Sequence, residues 1–269
     1  MKGLPFHHPG FCPPLLVRRL GSALVDWVAL CGEVLATRGR AGLWNRSYPS
    51  PTAYNMARHR LMKNGLLVAR RRDGRATVLQ LTPQGTHEVS EALQPQRFWD
   101  QKWTGIWSVL VYDVPEQQHA YRTTLRSYLQ RLRMGKLQGS VWISARDVRP
   151  DFADLQAAAG VNDYALLFAA RHVLGQRGVA LAQRAWDFER LQAAHAWFLE
   201  TVAATGARLK TAGGTPPELI GRLRELHGAY LTVMERDPLL PAALWPPGYL
   251  GPQVHQAYLT LARQLAERL

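Results

Sequence analysis

Residues 106–147 constrain the fold of this 269-residue chain more than any other segment. An apolar run ending at Tyr112 indicates a strand, a basic amphipathic helix follows, and a glycine-bounded turn leads to a second apolar strand over residues 140–144. This β-α-β order predicts a central unit with its own core. It separates a head before Trp99 from a helical tail after about Gly175, and it indicates a regulator of several domains rather than a one-domain enzyme.

Length and charge narrow the class of protein further. A chain of this length predicts about two or three domains. It carries 33 Lys and Arg against 20 Asp and Glu, a formal net charge of +13. The excess favours a polyanionic partner, because Lys and Arg release the counterions condensed on phosphate groups. A basic protein from a proteome of high pI would show the same excess, so the positions of the cations must decide.

Several site classes find no support in the sequence. Cys12 and Cys31 are the only cysteines, too few for a disulfide framework or a zinc-ligand set. The most apolar helical window, residues 24–35, is too short to span a bilayer and contains Asp26 and Glu33. The N-terminal stretch has no apolar core of signal-peptide length. We therefore expect a cytoplasmic protein without a membrane segment, metal or cofactor.

Residues 51–81 follow the order helix, glycine, hairpin. Pro51 suits the first turn of a helix, and Gly65 suits its C-terminal cap. Alternating stretches over residues 66–72 and 76–81 flank the hairpin signal Asp73-Gly74. This order is typical of a winged helix-turn-helix. Earlier helices are expected over residues 17–36 and around residues 41–44, and a later one over residues 82–93.

The helix over residues 52–64 carries the first candidate DNA contacts. Its stripe Ala53, Ala57 and Leu61 is expected to face the core, which leaves Asn55 and His59 on the opposite side. Asn pairs in bidentate fashion with adenine, and His donates to guanine or to phosphate. Arginines at a hairpin tip can enter the minor groove, and four beside such a helix favour DNA over solvated surface charges. The candidates are Thr52, Asn55, Met56, Arg58, His59, Arg60, Lys63, Arg70, Arg71, Arg72 and Arg75.

The central unit has the order β-α-β-β-α-β if residues 135–138 and 140–144 are distinct strands. A short helix over residues 151–159 and a buried strand over residues 164–170 complete that order, which is ferredoxin-like. Helices are then expected over residues 182–203, 219–234 and 253–269. A proline-rich stretch, residues 237–248, is expected to be a rigid packing element. The fold class is therefore α+β.

Three blocks of residues, within about residues 20–265, carry the pattern of a known family. The blocks are Ala53, Ala57, Arg60-Leu61, Gly65 and Leu67 in the head; Trp103, Trp107, Tyr112-Asp113-Val114-Pro115, Leu125, Leu129 and Val141-Trp142-Ile143 in the middle; and Trp186, Tyr230, Asp237-Pro238-Leu239-Leu240-Pro241 and Trp245-Pro246 in the tail. In order and spacing they resemble the PaaX family of bacterial transcriptional repressors.

This resemblance implies a winged helix-turn-helix DNA-binding domain (residues 15–98), a ferredoxin-like dimerisation domain (residues 99–178) and a helical C-terminal domain (residues 179–269). It implies a homodimer that binds a double-stranded DNA operator and represses a catabolic operon. It further implies release by an aromatic acyl-CoA effector such as phenylacetyl-CoA. The sequence assigns no effector-binding residues, because no recognised CoA motif is present. The sequence does not decide between repression and activation. It also leaves open a regulator that has lost its response to a ligand.

The rival class is a metal-dependent nuclease. Asp113 occupies the position at which the similar CRISPR-associated nucleases carry a metal-binding Asp, and two copies in a dimer could share one Mg²⁺. Glu116 is the only other acidic residue nearby, and no general base is evident. Asp113 before Val114-Pro115 also suits a cap for a helix starting near Glu116. We favour that structural role and expect no enzyme activity.

Overall fold

The computed structural model describes Val28 and residues 51–71, 77–152, 164–171, 177–211 and 214–268. The chain divides into two compact units. The first unit draws on Met1–Gln94, Ala194–Glu235 and Leu250–Leu269, and the second on Pro95–Ala193 and Arg236–Tyr249. Val28 is helical and buried; the rest of the helices expected over residues 17–36 and 41–44 lies outside the described residues.

The elements whose bounds lie within the described residues are eight α-helices, six strands and two short 3₁₀ turns. In chain order they are α1 (Pro51–Lys63), β1 (Leu67–Arg71), β2 (Thr77–Leu81), α2 (Pro83–His87), a 3₁₀ turn (Glu91–Leu93), α3 (Gln96–Trp99), β3 (Trp107–Tyr112), α4 (His119–Arg131), β4 (Gly135–Gln138), β5 (Val141–Ser144), β6 (Ala165–Ala170), α5 (Gly178–Ala185), α6 (Phe188–Thr211), α7 (Pro216–Met234), a 3₁₀ turn (Ala242–Leu244) and α8 (Gly251–Glu267). The fold class is therefore α+β with a helical C-terminal region. Among these helices, none is long and apolar enough to cross a membrane.

The second unit is built on a four-stranded antiparallel sheet in the order β4-β5-β3-β6. This is the order that a β-α-β-β-α-β chain produces when each pair of strands is joined through a helix or a hairpin. The predicted separation of β4 from β5 is confirmed, with Gly139 at φ 44° in the turn between them. Residues 149–152 are helical, which places the start of the second helix before residue 151.

One face of this sheet packs against α4. Leu110 and Tyr112 of β3 and Trp142 of β5 form a buried cluster with Leu125 and Leu129 of α4. Leucines four residues apart lie on one side of a helix. Two basic side chains of α4 bind at the edge of this cluster: Arg122 donates to the Val114 carbonyl, and Arg126 donates to the Tyr112 hydroxyl. Burial of the cluster stabilises the sheet and fixes the register of its strands.

The opposite face of the sheet is partly open. Leu166 and Phe168 of β6 are 71% and 50% exposed, so the prediction of a buried strand here is wrong. In the antiparallel register Leu166 lies beside Val111, and Val111 lies beside Val141. Residues paired in this way project from the same face. Alternation therefore buries Ala165 on the α4 side of β6, while the other side meets solvent.

The helix predicted over residues 182–203 is interrupted. α5 ends at Ala185 and α6 begins at Phe188, because Trp186 takes an extended backbone conformation with ψ 142°. Its indole N–H donates to the Arg133 carbonyl at 3.2 Å. A Cβ on Gly135 would come within 2.6 Å of the indole ring. The close contact between Trp186 and the start of β4 therefore depends on a glycine.

The helix predicted over residues 82–93 is also shorter than expected. α2 ends at His87, and a separate 3₁₀ turn covers Glu91–Leu93. Ser90 precedes that turn with an extended ψ of 132°, which breaks the helical path. Val89 and Ala92, on either side of the break, are both buried.

The tail helices of the first unit follow their predicted pattern. Every member of one α7 stripe is at most 1% exposed: Leu219, Leu223, Leu226, Tyr230 and Met234. Tyr230 stacks on Tyr258 of α8, with ring centroids 3.9 Å apart. The Tyr230 hydroxyl also lies 2.5 Å from the Ala92 carbonyl, so the helical core extends to the 3₁₀ turn of the head.

The proline-rich stretch of the second unit is a packing element organised by Asp237. Its buried carboxylate accepts hydrogen bonds from the Leu239 N–H at 2.7 Å and the Tyr249 hydroxyl at 2.6 Å. The Arg133 guanidinium donates to the Asp237 carbonyl. Burial and the nearby Asp237 charge raise the pKa of Tyr249 well above its usual value. The hydroxyl therefore stays protonated and donates to the carboxylate. The predicted packing role is confirmed.

Candidate nucleic-acid interface

The helix α1 ends where the sequence predicts. Gly65 has φ 69°, a backbone conformation that glycine adopts without strain. The Leu66 N–H donates to the Leu61 carbonyl at 2.9 Å, and the Gly65 N–H donates to the Met62 carbonyl at 3.1 Å. This pair of bonds is the Schellman pattern of a glycine-capped helix. The chain therefore leaves α1 in a fixed direction and enters β1 directly.

Thr82 connects the end of the hairpin to the end of α1. Its hydroxyl donates to the Gly65 carbonyl at 2.5 Å and accepts from the Gly85 N–H at 2.9 Å. Its own N–H donates to the Leu66 carbonyl at 3.1 Å. A Cβ on Gly85 would lie 2.0 Å from that carbonyl oxygen. The orientation of the hairpin relative to α1 thus depends on a hydroxyl and on a position that excludes every side chain.

The buried side of α1 consists of Tyr54, Ala57 and Leu61, which are 8%, 5% and 4% exposed. Ala57 and Leu61 confirm the predicted core stripe, whereas the side chain of Ala53 lies outside the described part of the chain. Tyr54 was missed by the sequence analysis. Positions 54, 57 and 61 are three and four residues apart, and this spacing is the signal that identifies Tyr54 as a core residue.

The outward side of α1 carries the predicted candidates. Six of them are exposed: Thr52, Asn55, Met56, His59, Arg60 and Lys63. Arg58 is half-buried. A groove of about 440 Å³ runs along this side, lined by Asn55, Arg58, His59, Met62 and Lys63. The structure therefore brings the helical candidates together on one accessible surface, which we call the α1 surface.

The α1 surface is cationic. The sequence of α1 contains Arg58, Arg60 and Lys63 and no Asp or Glu. Arg60 and Lys63 stand in the last turn, where a cation also stabilises the helix dipole. That structural role accounts for two of the charges and is compatible with phosphate binding by the same side chains.

The hairpin supplies the other four candidates. β1 and β2 pair from Leu67↔Leu81 to Arg71↔Thr77, so Arg70 and Arg71 belong to a regular two-stranded ribbon. The side chains of these two arginines, and all of Arg72 and Arg75, lie outside what the structure describes. Their assignment as DNA contacts stays a prediction.

The nuclease alternative depends on Asp113, which is exposed just after β3. Its backbone N–H donates to the Tyr164 carbonyl at 2.8 Å. The capping role predicted for its side chain is wrong, because α4 begins at His119 with Gln118 as its N-cap. A turn, closed by a hydrogen bond from the Gln118 N–H to the Pro115 carbonyl, separates Asp113 from the start of α4. Within the described residues, no three His, Cys, Asp or Glu side chains cluster as metal ligands would.

An acyl-CoA effector would need aromatic and basic contacts, and three such residues of the second unit contact other parts of the chain instead. Trp142 is 3% exposed within the α4 cluster. The Arg146 guanidinium donates to the Leu132 carbonyl at 3.0 Å and lies over the Phe98 ring. Arg149 forms a bidentate pair with Asp147 and holds the pKa of that carboxyl at about 2. We assign none of them to an effector site.

Comparison with known proteins identifies two domains. Residues 100–182 match the model of the PaaX protein central Cas2-like domain, and residues 186–268 match that of the PaaX-like protein C-terminal domain. Among solved structures, "Uncharacterized protein Rv0674 from Mycobacterium tuberculosis" is similar with a TM-score of 0.55 and 22% identity, over 93% of this chain and 97% of that one. This similarity shows a shared fold. No curated protein matches significantly. From its two domain matches, the chain belongs to the PaaX family of regulators.

Proposed function

We propose that this protein is a sequence-specific regulator that binds double-stranded DNA through a winged helix-turn-helix head. The observation that carries the proposal is the α1 surface, an exposed and acid-free helix face with a groove along it. The capped end of α1 and the Thr82 bonds hold the β1–β2 hairpin next to this helix. Helix, cap and hairpin are the parts from which a winged head is assembled.

In the proposed complex α1 lies in the major groove as the recognition helix. Asn55 pairs with an adenine, and His59 donates to guanine or phosphate. Arg58, Arg60 and Lys63 contact phosphates. The first turn, at Thr52, offers free backbone N–H groups to a phosphate. The hairpin acts as the wing, where the concentrated negative potential of the minor groove attracts its arginines: Arg70, Arg71, Arg72 and Arg75.

The second part of the proposal is a homodimer formed through the open sheet face of Val111, Val141, Leu166 and Phe168. Leu166 and Phe168 are exposed, and Val111 and Val141 beside them are half-buried. Apolar side chains gathered on one accessible face are typical of a protein interface. A two-fold axis would place the same four residues of another copy against them. A dimer carries two copies of α1, and we therefore expect an operator with inverted repeats.

Light scattering after size exclusion tests the dimer. We expect the wild type to elute as a dimer and the double variant Leu166→Glu, Phe168→Glu as a folded monomer, because four buried carboxylates would face one another. The control Gln253→Glu, at an exposed position of α8, should remain dimeric. An unaltered dimer in the double variant would refute the use of this face.

The finer domain assignment and the regulation are proposed from the family. The domains are a winged helix-turn-helix (residues 15–98), a ferredoxin-like dimerisation domain (residues 99–178) and a helical domain (residues 179–269). Membership of the PaaX family supports repression of a catabolic operon that an aromatic acyl-CoA, such as phenylacetyl-CoA, relieves. A ligand can relieve repression only if it binds the released state more tightly than the DNA-bound state.

Selection from a pool of random duplex DNA tests the central proposal. The full-length protein should retain duplexes that share an inverted-repeat consensus. Retention that is sensitive to salt but yields no consensus would overturn the proposal, because phosphate contacts alone produce that result.

Variants then separate base contacts from phosphate contacts. We expect Asn55→Ala to flatten the preference among bases within each half-site. The double variant Arg72→Ala, Arg75→Ala should weaken binding to every sequence and lower the salt dependence. Arg263→Ala, an exposed cation on α8, is the matched control and should change neither property. If both test variants bind DNA as the wild type does, the head does not form the DNA interface.

A further inference from the structure

One apolar side chain interrupts the polar α1 surface. Met56 is 70% exposed, one of four large hydrophobic side chains exposed among the described residues. Two of the others, Leu166 and Phe168, belong to the open sheet face, and Val68 lies at 36% on β1. Met56 follows Asn55 directly. It projects from the exposed side of α1, which we propose to enter the major groove.

The fold gives no reason for a thioether at this position. At 70% exposure its burial adds almost nothing to stability. The core side of α1 is already filled by Tyr54, Ala57 and Leu61, which are all buried. A polar residue would serve the helix equally well, since methionine and glutamine have similar helix propensities. The position thus points to contact with something outside the chain.

The neighbours of Met56 define the chemistry of that contact. Positions 59, 60 and 63 lie three, four and seven residues further on, so His59, Arg60 and Lys63 surround Met56 on the same side of the helix. A partner with an apolar group set among negative charges fits this arrangement. Duplex DNA offers one such group in the major groove, the C5-methyl of thymine, which apolar side chains contact there.

We propose that Met56 reads a thymine methyl group in each half-site, next to the base pair that Asn55 contacts. Adjacent residues of a helix differ by about 100° in direction, so the two side chains diverge, and we assign them to neighbouring base pairs. Asn55 selects adenine through hydrogen bonds, and Met56 selects thymine through apolar contact. Each half-site then contains two successive A·T pairs at the centre of the contact. This inference rests on the proposed function and specifies the bases that the same surface recognises.

The test uses uracil, which differs from thymine only in lacking the methyl group. Random duplex pools are prepared with thymine or with uracil, and the wild type selects from each. We expect a consensus with an invariant thymine from the thymine pool, and loss of preference at that position from the uracil pool. Placing uracil at that position of both half-sites should weaken binding about fourfold per half-site, or roughly 15-fold in all.

Variants connect the methyl group to the side chain. Met56→Ala should bind the thymine and uracil duplexes equally well, while Met56→Leu should keep the preference for thymine. Uracil at a thymine elsewhere in the consensus is the control and should leave affinity unchanged. A clear consensus with no effect of uracil, or an effect that survives Met56→Ala, would overturn this inference and leave the proposed function standing. No consensus in the thymine pool would overturn both.

Discussion

A buried histidine should make the stability of the first unit depend on pH. The His255 ring is 3% exposed, and its Nδ1 lies 2.6 Å from the Tyr230 hydroxyl. That hydroxyl also lies 2.5 Å from the Ala92 carbonyl, which can only accept. The tyrosine therefore donates to Ala92, and the Nδ1–H of His255 donates to the tyrosine. Burial lowers the pKa of His255 from 6.5 to about 4.

The sign and size of the effect follow from this pKa. A neutral His255 contributes its full stability above the unfolded pKa near 6.5. The contribution is lost as the pH falls from 6.5 to about 4, because the unfolded chain binds a proton that the folded chain rejects. At about 1.4 kcal/mol per pKa unit, the whole loss is about 3 kcal/mol. Between pH 7 and pH 5 it is about 2 kcal/mol.

Urea unfolding followed by circular dichroism, at pH 7 and pH 5, measures this loss. In His255→Asn the amide can still donate to Tyr230 but cannot take up a proton, so its free energy of unfolding should fall by about 2 kcal/mol less than that of the wild type. His119→Asn, at an exposed site on α4, should behave like the wild type. Equal pH dependence in His255→Asn and wild type would refute the reasoning.

Four further predictions concern a tyrosine hydroxyl, two glycines and nuclease activity. Tyr230→Phe leaves the buried Ala92 carbonyl without its donor, so urea unfolding should show a loss of about 1–3 kcal/mol. Gly85→Ala would push a Cβ against the Leu66 carbonyl and should lower the free energy of unfolding by about 3 kcal/mol or more. In Gly228→Ala, in α7, nothing lies within 4 Å of the added Cβ, so the free energy of unfolding should rise by about 0.5–1 kcal/mol. The purified protein with Mg²⁺ or Mn²⁺ should not cleave DNA; cleavage that Asp113→Ala abolishes would revive the nuclease class.

The parts of the fold that the sequence predicts well are those specified by local chemistry. Gly65 ends α1 because only glycine adopts the left-handed cap at no cost, and the helical bonds at that end are present. The turn at Gly139 separates β4 from β5. The α7 stripe repeats every three or four residues and is buried along its length. In each case residues close together in the sequence determine the local structure.

The sequence-based predictions are wrong where residues distant along the chain determine the structure. Trp186 breaks a helical pattern because its indole meets Arg133 and Gly135, more than fifty positions away along the chain. The apolar composition of β6 suggests burial on both sides. The face opposite α4 is covered at Val109 and Ile143 but not at Leu166 and Phe168, which are exposed. Single-sequence periodicity does not report which elements a face will meet.

The candidate nucleic-acid interface also has parts that the sequence predicts and parts that it does not. The exposure of Asn55, Met56 and His59 could be predicted from the spacing of the buried positions on α1, and the structure confirms it. The role of Thr82 could not, because its bonds join Gly65 and Gly85 across the length of the hairpin. Those bonds are what hold the hairpin beside α1.

The most direct test of the central claim is the ratio of two affinities at one salt concentration. Fluorescence anisotropy should be used to titrate the full-length protein into the selected inverted-repeat duplex and into a duplex of the same composition in scrambled order. If the protein is a sequence-specific regulator, it should bind the selected duplex at least about 10³-fold more tightly than the scrambled duplex near physiological salt. A ratio near one, with both affinities falling steeply as salt rises, would contradict the account.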